Sequence, residues 1–242
     1  MKSLCITLRT NRPVVLPIAY NELVQGLLYS CWKTDLPEVH DFTLGDGKQF
    51  RPFVFSRLEG RCSADGKART IKFYKYVRFE VRSYFDELMA MCATSLEERD
   101  RVRIGTHDFE LVGLETRDCL LFPSRCIMRM RTPVVAYDTL EDGHTKPYSP
   151  AEPRWLSLVQ QNAWRKAEAL GLPAGAPFQA IAYQETLNDH VTRFKGTFVT
   201  GYTGDILVAT DPMLLSVLWC CGLGAKNSQG FGMFDIRDEP MR

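Results

Sequence analysis

The chain lacks several features on which whole classes of function depend. Its eight cysteines contain no C-x-x-C pair, which argues against a zinc knuckle and gives no sign of a disulfide framework. No apolar run reaches the ~18 residues of a membrane-spanning helix, and the N-terminus has no signal-peptide core. No carboxylates or histidines have the spacing of metal ligands, so we expect no metal and no other cofactor. We expect a soluble, cytoplasmic protein.

An excess of charge of one sign is also missing. The 30 Lys and Arg residues are balanced by 29 Asp and Glu residues, so the formal net charge is +1. A nucleic-acid partner would therefore have to bind to a local basic face. Histidine is scarce, and the candidates for proton transfer near neutral pH are only His40, His107, His144 and His190. The last two are predicted to lie in turns.

The most distinctive stretch is GLGAKNSQGFGMF, which begins at Gly222 and ends at Phe234. Two Gly-x-Gly pairs flank a polar centre, and glycines of this kind let a loop present backbone amides to an anion such as a phosphate. The preceding segment is predicted to be a helix with Asp211 as its N-cap, so the order is helix, loop, strand. That order excludes a P-loop and a dinucleotide fingerprint. A simple helix C-cap followed by a glycine turn remains an alternative.

Hydrophobic periodicity predicts one order of elements twice. In the first half we expect a strand, a helix, a hairpin, a helix and two short strands, at residues 2–9, 21–33, 53–58 with 70–82, 83–92, 102–104 and 109–116. Asp86 is placed for a capping box with Ser83 at the start of the second helix. In the second half we expect a strand, a loop, a helix, three strands, a helix and a strand, at residues 125–131, 138–153, 154–170, 178–184, 191–199, 205–209, 211–221 and 233–236.

This order of elements is the ferredoxin-like arrangement. We therefore predict an α+β protein of two tandem ferredoxin-like (βαββαβ) domains, residues 1–122 and 123–242, with a boundary near Leu121 to Ser124. On the strand at 70–82, the polar residues fall on the face opposite the apolar ones. Tyr74 and Tyr76 on that polar face, with Lys72 and Arg78, are candidates for stacking RNA bases, although an ordinary outer hairpin face gives the same pattern.

The string GLGAKNSQGFG resembles the C-terminal glycine-rich loop of the CRISPR-associated endoribonucleases that cut precursor CRISPR RNA within its repeats. These proteins belong to the repeat-associated (RAMP) superfamily and have ferredoxin-like folds. The segments Val39-His40-Asp41 and Leu16-Pro-Ile-Ala-Tyr20 resemble the family's N-terminal pattern. The resemblance implies that CRISPR repeat RNA is the partner, and it allows other subunits of a CRISPR complex or a homodimer.

The resemblance also implies a reaction without a metal. The 2′-hydroxyl attacks the adjacent phosphorus and leaves a 2′,3′-cyclic phosphate and a 5′-hydroxyl. In this reading His40 is the general base or acid, Tyr29 orients or helps to protonate an oxygen, and Lys48 stabilises the phosphorane charge. Tyr20 and Arg51 are the nearest substitutes for the last two. The plain alternatives are a surface histidine, a tyrosine that packs the first helix, and a solvated lysine.

Two sets of residues are candidates for RNA contact. The first is the loop itself, with Gly222, Gly224, Lys226, Asn227, Ser228, Gly230 and Gly232. The second is one face of the strand at 125–131, with Arg125, Arg129 and Arg131, although exposed sheet faces commonly carry arginines. A rival function is a non-catalytic RNA-binding or structural subunit of a CRISPR complex, because relatives keep the fold and the loop without the chemistry. A ferredoxin-like regulatory module that binds a small molecule is a third alternative.

Overall fold

A computed structural model describes residues 1–32, 50–119 and 121–238. The described helices are Asn21–Trp32 (α1), Asp86–Glu97 (α2), Pro153–Ala169 (α3) and Pro212–Cys221 (α4). The strands of the first half are Lys2–Arg9 (β1), Val14–Pro17 (β2), Phe53–Phe55 (β3), Cys62–Asp65 (β4), Thr70–Phe73 (β5), Tyr76–Ser83 (β6), Val102–Ile104 (β7) and His107–Asp118 (β8). Those of the second half are Arg125–Met130 (β9), Tyr137–Thr139 (β10), Thr145–Pro147 (β11), Phe178–Ala182 (β12), Asn188–Phe194 (β13), Thr197–Thr203 (β14), Asp205–Thr210 (β15) and Phe234–Arg237 (β16).

Both halves have the strand order of a ferredoxin-like sheet. In the first half the order is β3-β6-β1-β8, with β7 added at the edge, and in the second half it is β12-β15-β9-β16. The first strand of each half is central: β1 pairs with β6 and β8, and β9 pairs with β15 and β16. All these pairs are antiparallel. The apolar faces of α1 and α2 form one core with the first sheet, and α3 and α4 form a second core with the other sheet. The expected tandem ferredoxin-like fold is confirmed.

The predicted strand at 70–82 is wrong as a single element. The chain changes sheets at Tyr74 and Lys75: β5 pairs with β2 and β4, whereas β6 pairs with β3 and β1. The result is a separate three-stranded sheet, β2-β5-β4, at one end of the first domain's main sheet. Alternation in the sequence continues through the break, so it gave no signal of the change of partners.

Three other local predictions need correction. Helix α2 begins at Asp86, and Ser83 belongs to β6, where its hydroxyl accepts from the Phe85 amide at 3.1 Å, so the capping box does not form. The loop at 138–153 contains the β10–β11 hairpin. The predicted strand at 191–199 is a hairpin, β13–β14, because Lys195 and Gly196 take φ values of 45° and 85°, as a tight hairpin turn requires.

The two halves are joined by a buried ionic network. Glu80 and Arg82 of β6, which the sequence placed on an outer hairpin face, are only 6% and 3% exposed. The Arg82 guanidinium donates to Glu80 Oε1 at 2.6 Å and to the carbonyl of Phe234 at 2.6 Å, and Arg131 of the second half also pairs with Glu80. Burial alone would raise the pKa of Glu80, but the two arginines outweigh it and lower that pKa.

Strand β8 ends at Asp118 and β9 begins at Arg125, so the boundary expected near Leu121 to Ser124 falls in the connection. It stays a prediction. None of the helices in the described ranges is both long and apolar enough to span a bilayer.

Candidate functional site

The glycine-rich loop links α4 to β16. Helix α4 begins as expected, because the Asp211 carboxylate accepts from the Met213 amide at 2.8 Å, and it ends at Gly222. All four glycines of the loop have positive φ, between 71° and 85°. At Gly232 no other residue fits, because an added Cβ would collide with the carbonyl oxygen of Leu223. The positive φ expected of these glycines is observed, but the amides of Gly222, Gly230 and Gly232 donate to backbone carbonyls of the fold, as the alternative of a helix C-cap and glycine turn expects.

The polar centre of the loop holds the loop together. Asn227 is buried, and its side-chain amide donates to the carbonyls of Leu223 and Phe231 at 3.0 and 2.9 Å. It therefore ties the two glycine pairs to each other. Lys226 has φ of 61° and its ammonium lies 5.1 Å from the centre of the Tyr137 ring. Burial lowers the pKa of Lys226.

A buried lysine on α3 donates hydrogen bonds to the loop. Lys166 is 3% exposed, and its Nζ donates to the carbonyls of Gly222 and Gly224 at 2.6 and 2.8 Å. Burial lowers the pKa of this amine to about 7. A neutral amine has two N–H donors, which matches the two carbonyls. The sequence did carry a signal that we missed, since Lys166 falls on the apolar stripe of its helix after Val159 and Ala163.

The lowered pKa of Lys166 predicts how stability depends on pH. Between pH 7 and 10 Lys166 binds a proton in the unfolded chain more often than in the folded one. Its contribution to the free energy of unfolding therefore rises with pH. The limit is about 1.4 kcal/mol per pH unit. We expect wild type to gain stability over Lys166→Met through this window in denaturant titrations. Arg165→Met, at an exposed neighbouring position, is the control and should follow the pH profile of wild type. The prediction fails if Lys166→Met follows that profile too.

The loop docks on α1 of the first half. Asn21 Nδ2 donates to the carbonyl of Gln229 at 2.8 Å, and Gln25 Nε2 donates to the carbonyl of Ser228 at 2.7 Å. Tyr29 lies one further turn along the same helix face, since residues four apart share a face. Polar residues at this spacing therefore fix the loop along the length of α1.

Tyr29 combines packing with a polar environment. Its ring makes edge contacts with Phe53 and Trp32 at 5.8 and 6.4 Å, as the packing alternative expects. The Arg51 guanidinium lies 5.7 Å from the ring centre. Burial raises the pKa of Tyr29, and Arg51 together with the Ser228 side chain partly offsets that rise. Tyr29 is thus next to both the loop and a cation.

The remaining predicted residues are distributed differently. His40 and Lys48 lie outside the described residues. Tyr20 is buried at the opposite end of α1, where its hydroxyl accepts from the Leu58 amide at 3.1 Å. The position of Tyr20 therefore does not favour it over Tyr29 for the predicted catalytic role. His190 lies in β13 and not in a turn, and its ring is 2.7 Å from the Thr203 hydroxyl.

The arginines of β9 lie beside carboxylates. Arg129 makes two hydrogen bonds of 2.8 Å to Asp205, and Arg131 pairs with Glu80 and Glu59 of the first half. Arg125, at the start of the strand, is exposed. An RNA contact by Arg129 or Arg131 has to share the guanidinium with these partners.

Sequence reasoning also missed the β13–β14 hairpin as part of this region. One of its faces packs through Phe194 and Val199 on Phe231 of the glycine-rich loop. The other face exposes Val191 and Phe198, which are 62% and 61% accessible. A Lys-Gly turn within an alternating segment was the available signal.

Comparison with known proteins identifies the C-terminal half. Residues 117–236 match the family model described as CRISPR associated protein Cas6, C-terminal. The C-terminal half of this chain belongs to the Cas6 family. The family expected from the glycine-rich loop is therefore confirmed, and the loop lies inside the matched Cas6 region. A search of curated protein sequences finds no match.

Solved structures resemble the whole chain. One is an RAMP protein described as binding different RNA substrates, with a TM-score of 0.83 and 15% identity over 98% of this chain and 100% of that one. A Cas6-related protein from Pyrococcus furiosus gives 0.82 and 16% over 99% of both chains. A Cas6 solved as a product complex gives 0.71 and 16% over 98% and 99%. At these identities the likeness shows a shared Cas6 and RAMP fold.

Proposed function

We propose that this protein is a metal-independent endoribonuclease that cuts precursor CRISPR RNA within its repeats. In the reaction a base removes the proton of the 2′-hydroxyl, whose oxygen attacks the adjacent phosphorus. The bond to the 5′-oxygen then breaks, and an acid protonates that oxygen. The products are a 2′,3′-cyclic phosphate and a 5′-hydroxyl end.

The docking of the glycine-rich loop on α1 is the observation that carries this proposal. The loop belongs to the Cas6-matched half, and its partly exposed residues Lys226 and Ser228 are the ones proposed to contact a phosphate. Helix α1 carries Tyr29 on the docked face and leads into the segment that contains His40. The glycine-rich loop and Tyr29, one of the candidate catalytic residues, thus lie on the same face of one helix.

In the proposed site each group has a separate task. His40 transfers the proton, and Tyr29 orients an oxygen of the reacting nucleotide. Lys48 stabilises the charge of the phosphorane, and Arg51, whose guanidinium is 5.7 Å from the Tyr29 ring, supplies a second positive charge nearby. The RNA backbone contacts the polar centre of the loop, because the amides of Gly222, Gly230 and Gly232 already donate to backbone carbonyls.

Two similar structures support RNA as the substrate. One is an RAMP protein that binds different RNA substrates, and the other is a Cas6 product complex. The RNA binding is that of the RAMP protein, and the shared fold extends the expectation to this chain. The rival reading, a non-catalytic RNA-binding subunit, predicts binding of the same RNA without cleavage.

The experiment is cleavage of an end-labelled CRISPR repeat RNA by the full chain in EDTA. We expect one cut, with a 2′,3′-cyclic phosphate and a 5′-hydroxyl. The control substrate carries a single 2′-deoxy nucleotide at the scissile position, and we expect it to bind and remain intact because the nucleophile is missing. Binding without any cleavage of the normal RNA would favour the rival subunit function, and cleavage of the 2′-deoxy RNA would contradict the mechanism.

A further inference from the structure

The segment from Gly60 to Lys75 is strongly basic. It contains five basic residues and only one acidic residue, Asp65, in a chain whose net charge is +1. The segment forms β4, β5 and the turn between them. The small β2-β5-β4 sheet therefore carries a local excess of positive charge, as the binding of a polyanion requires.

One face of this sheet combines cations with an aromatic ring. Lys72 lies across from Ser63 on β4 and from Val15 on β2, which is 46% exposed. Tyr74 follows two residues later and is 38% exposed, and its hydroxyl is 3.0 Å from Ser63 Oγ. The Arg61 guanidinium and the Lys72 ammonium lie 5.5 and 5.7 Å from the centre of the Tyr74 ring.

The cations of this segment differ from eight arginines elsewhere in the described residues, which pair with carboxylates. In the ranges that the structure describes, ion pairs with carboxylates involve eight other arginines: Arg9, Arg78, Arg82, Arg103, Arg117, Arg129, Arg131 and Arg154. None of the ion pairs in those ranges involves Arg61, Lys67, Arg69, Lys72 or Lys75. Their charge is available to an external anion.

The position of this face relates it to the proposed active site. The Ile18 amide donates to the Arg69 carbonyl at 2.9 Å, so the small sheet adjoins the residues just before α1. Helix α1 is about 18 Å long, and Tyr29 is in its second half. The glycine-rich loop contacts the same helix at Asn21 and Gln25, between the two. An RNA strand that contacts both Tyr29 and the small sheet therefore has to run along α1.

We propose that this face is a second RNA-contact site, which binds a single-stranded part of the substrate away from the scissile phosphate. A base stacks on Tyr74, and the neighbouring phosphates contact Arg61 and Lys72. Single-stranded RNA fits because its bases are free to stack on an aromatic ring, whereas those of a duplex are paired and stacked already. The inference rests on the proposed function, since it takes RNA as the substrate.

The test measures affinity for a fluorescent single-stranded repeat RNA, with the 2′-deoxy nucleotide at the scissile position to prevent cleavage, as a function of salt. Tyr74→Ala is expected to weaken binding ~10-fold, which is within the range for loss of one stacked base. Arg61→Glu with Lys72→Glu is expected to weaken it further and to reduce the slope of log K against log salt by ~1.4, or ~0.7 per lost phosphate contact. At saturating unmodified RNA the cleavage rate should stay at the wild-type value.

The matched control is Arg101→Glu with Arg103→Glu, which makes the same change in charge at the β7 edge of the first domain. We expect this control to keep the wild-type salt slope. Unchanged affinity and slope in the Arg61 and Lys72 variant would overturn the proposal, and that result is also expected if the face binds an acidic protein. An equal loss for Tyr74→Ala on a fully paired RNA would overturn the single-stranded assignment. Because binding is measured without cleavage, a protein that never cuts RNA still tests this site.

Discussion

His40→Ala is expected to lower the single-turnover rate of repeat-RNA cleavage by ~10²- to 10⁴-fold, the usual contribution of a general acid or base. The affinity for RNA should remain close to that of wild type, because the proposed role of His40 is proton transfer. The measurement is a single-turnover time course in EDTA with enzyme in excess, together with the dissociation constant of the 2′-deoxy RNA.

The control for this prediction is His144→Ala, which removes an exposed histidine outside the proposed site. It should cleave at the wild-type rate. A His40→Ala variant with normal cleavage would show that another residue carries out the proton transfer, while the fold and the Cas6 assignment of the C-terminal half would stand. A variant that loses binding as strongly as cleavage would assign His40 to RNA contact.

Arg82→Met is expected to lower the free energy of unfolding by ~3 kcal/mol or more, because removal of one partner leaves Glu80 buried with incomplete compensation. The Arg82 side chain is 4% exposed and also lies over the Trp219 ring, 4.2 Å from its centre. Methionine keeps much of the volume but none of the hydrogen bonds. Denaturant titration at neutral pH measures the loss.

Arg103→Met provides the comparison. Arg103 also pairs with a carboxylate, Asp108, but its side chain is 70% exposed. A surface pair of this kind contributes roughly 0–1 kcal/mol, so we expect little change. Similar losses in the two variants would contradict the role we give to burial in the network that joins the halves.

The candidate site shows how far local sequence reasoning extends. The helix cap at Asp211, the end of α4 at Gly222 and the positive φ of the loop glycines follow from local steric rules, and all three are observed. The roles of His40, Tyr29 and Lys48 stay predictions. The support of the loop by Lys166 could have been read from its place on an apolar helix stripe, because a buried lysine needs acceptors for its donors.

Other features could not be read from local patterns. Glu80 and Arg82 have the alternation of an exposed strand face, but both are buried, and Arg131, Phe234 and Trp219 of the second half contact them. The change of sheets at Tyr74 depends on which strands are available as partners, and alternation does not encode partners. The predicted single strand at 191–199 failed because the Lys195-Gly196 turn was not recognised.

The sequence by itself determined the two ferredoxin-like units and the glycine-rich loop. Hydrophobic periodicity, helix caps and glycine are short-range properties, and each unit forms its own sheet and core from consecutive elements. The tertiary structure alone decided that the loop of one unit lies along α1 of the other. That contact joins Gln25 to Ser228, whose pairing depends on how two separately formed surfaces fit together. No local pattern specifies such a fit.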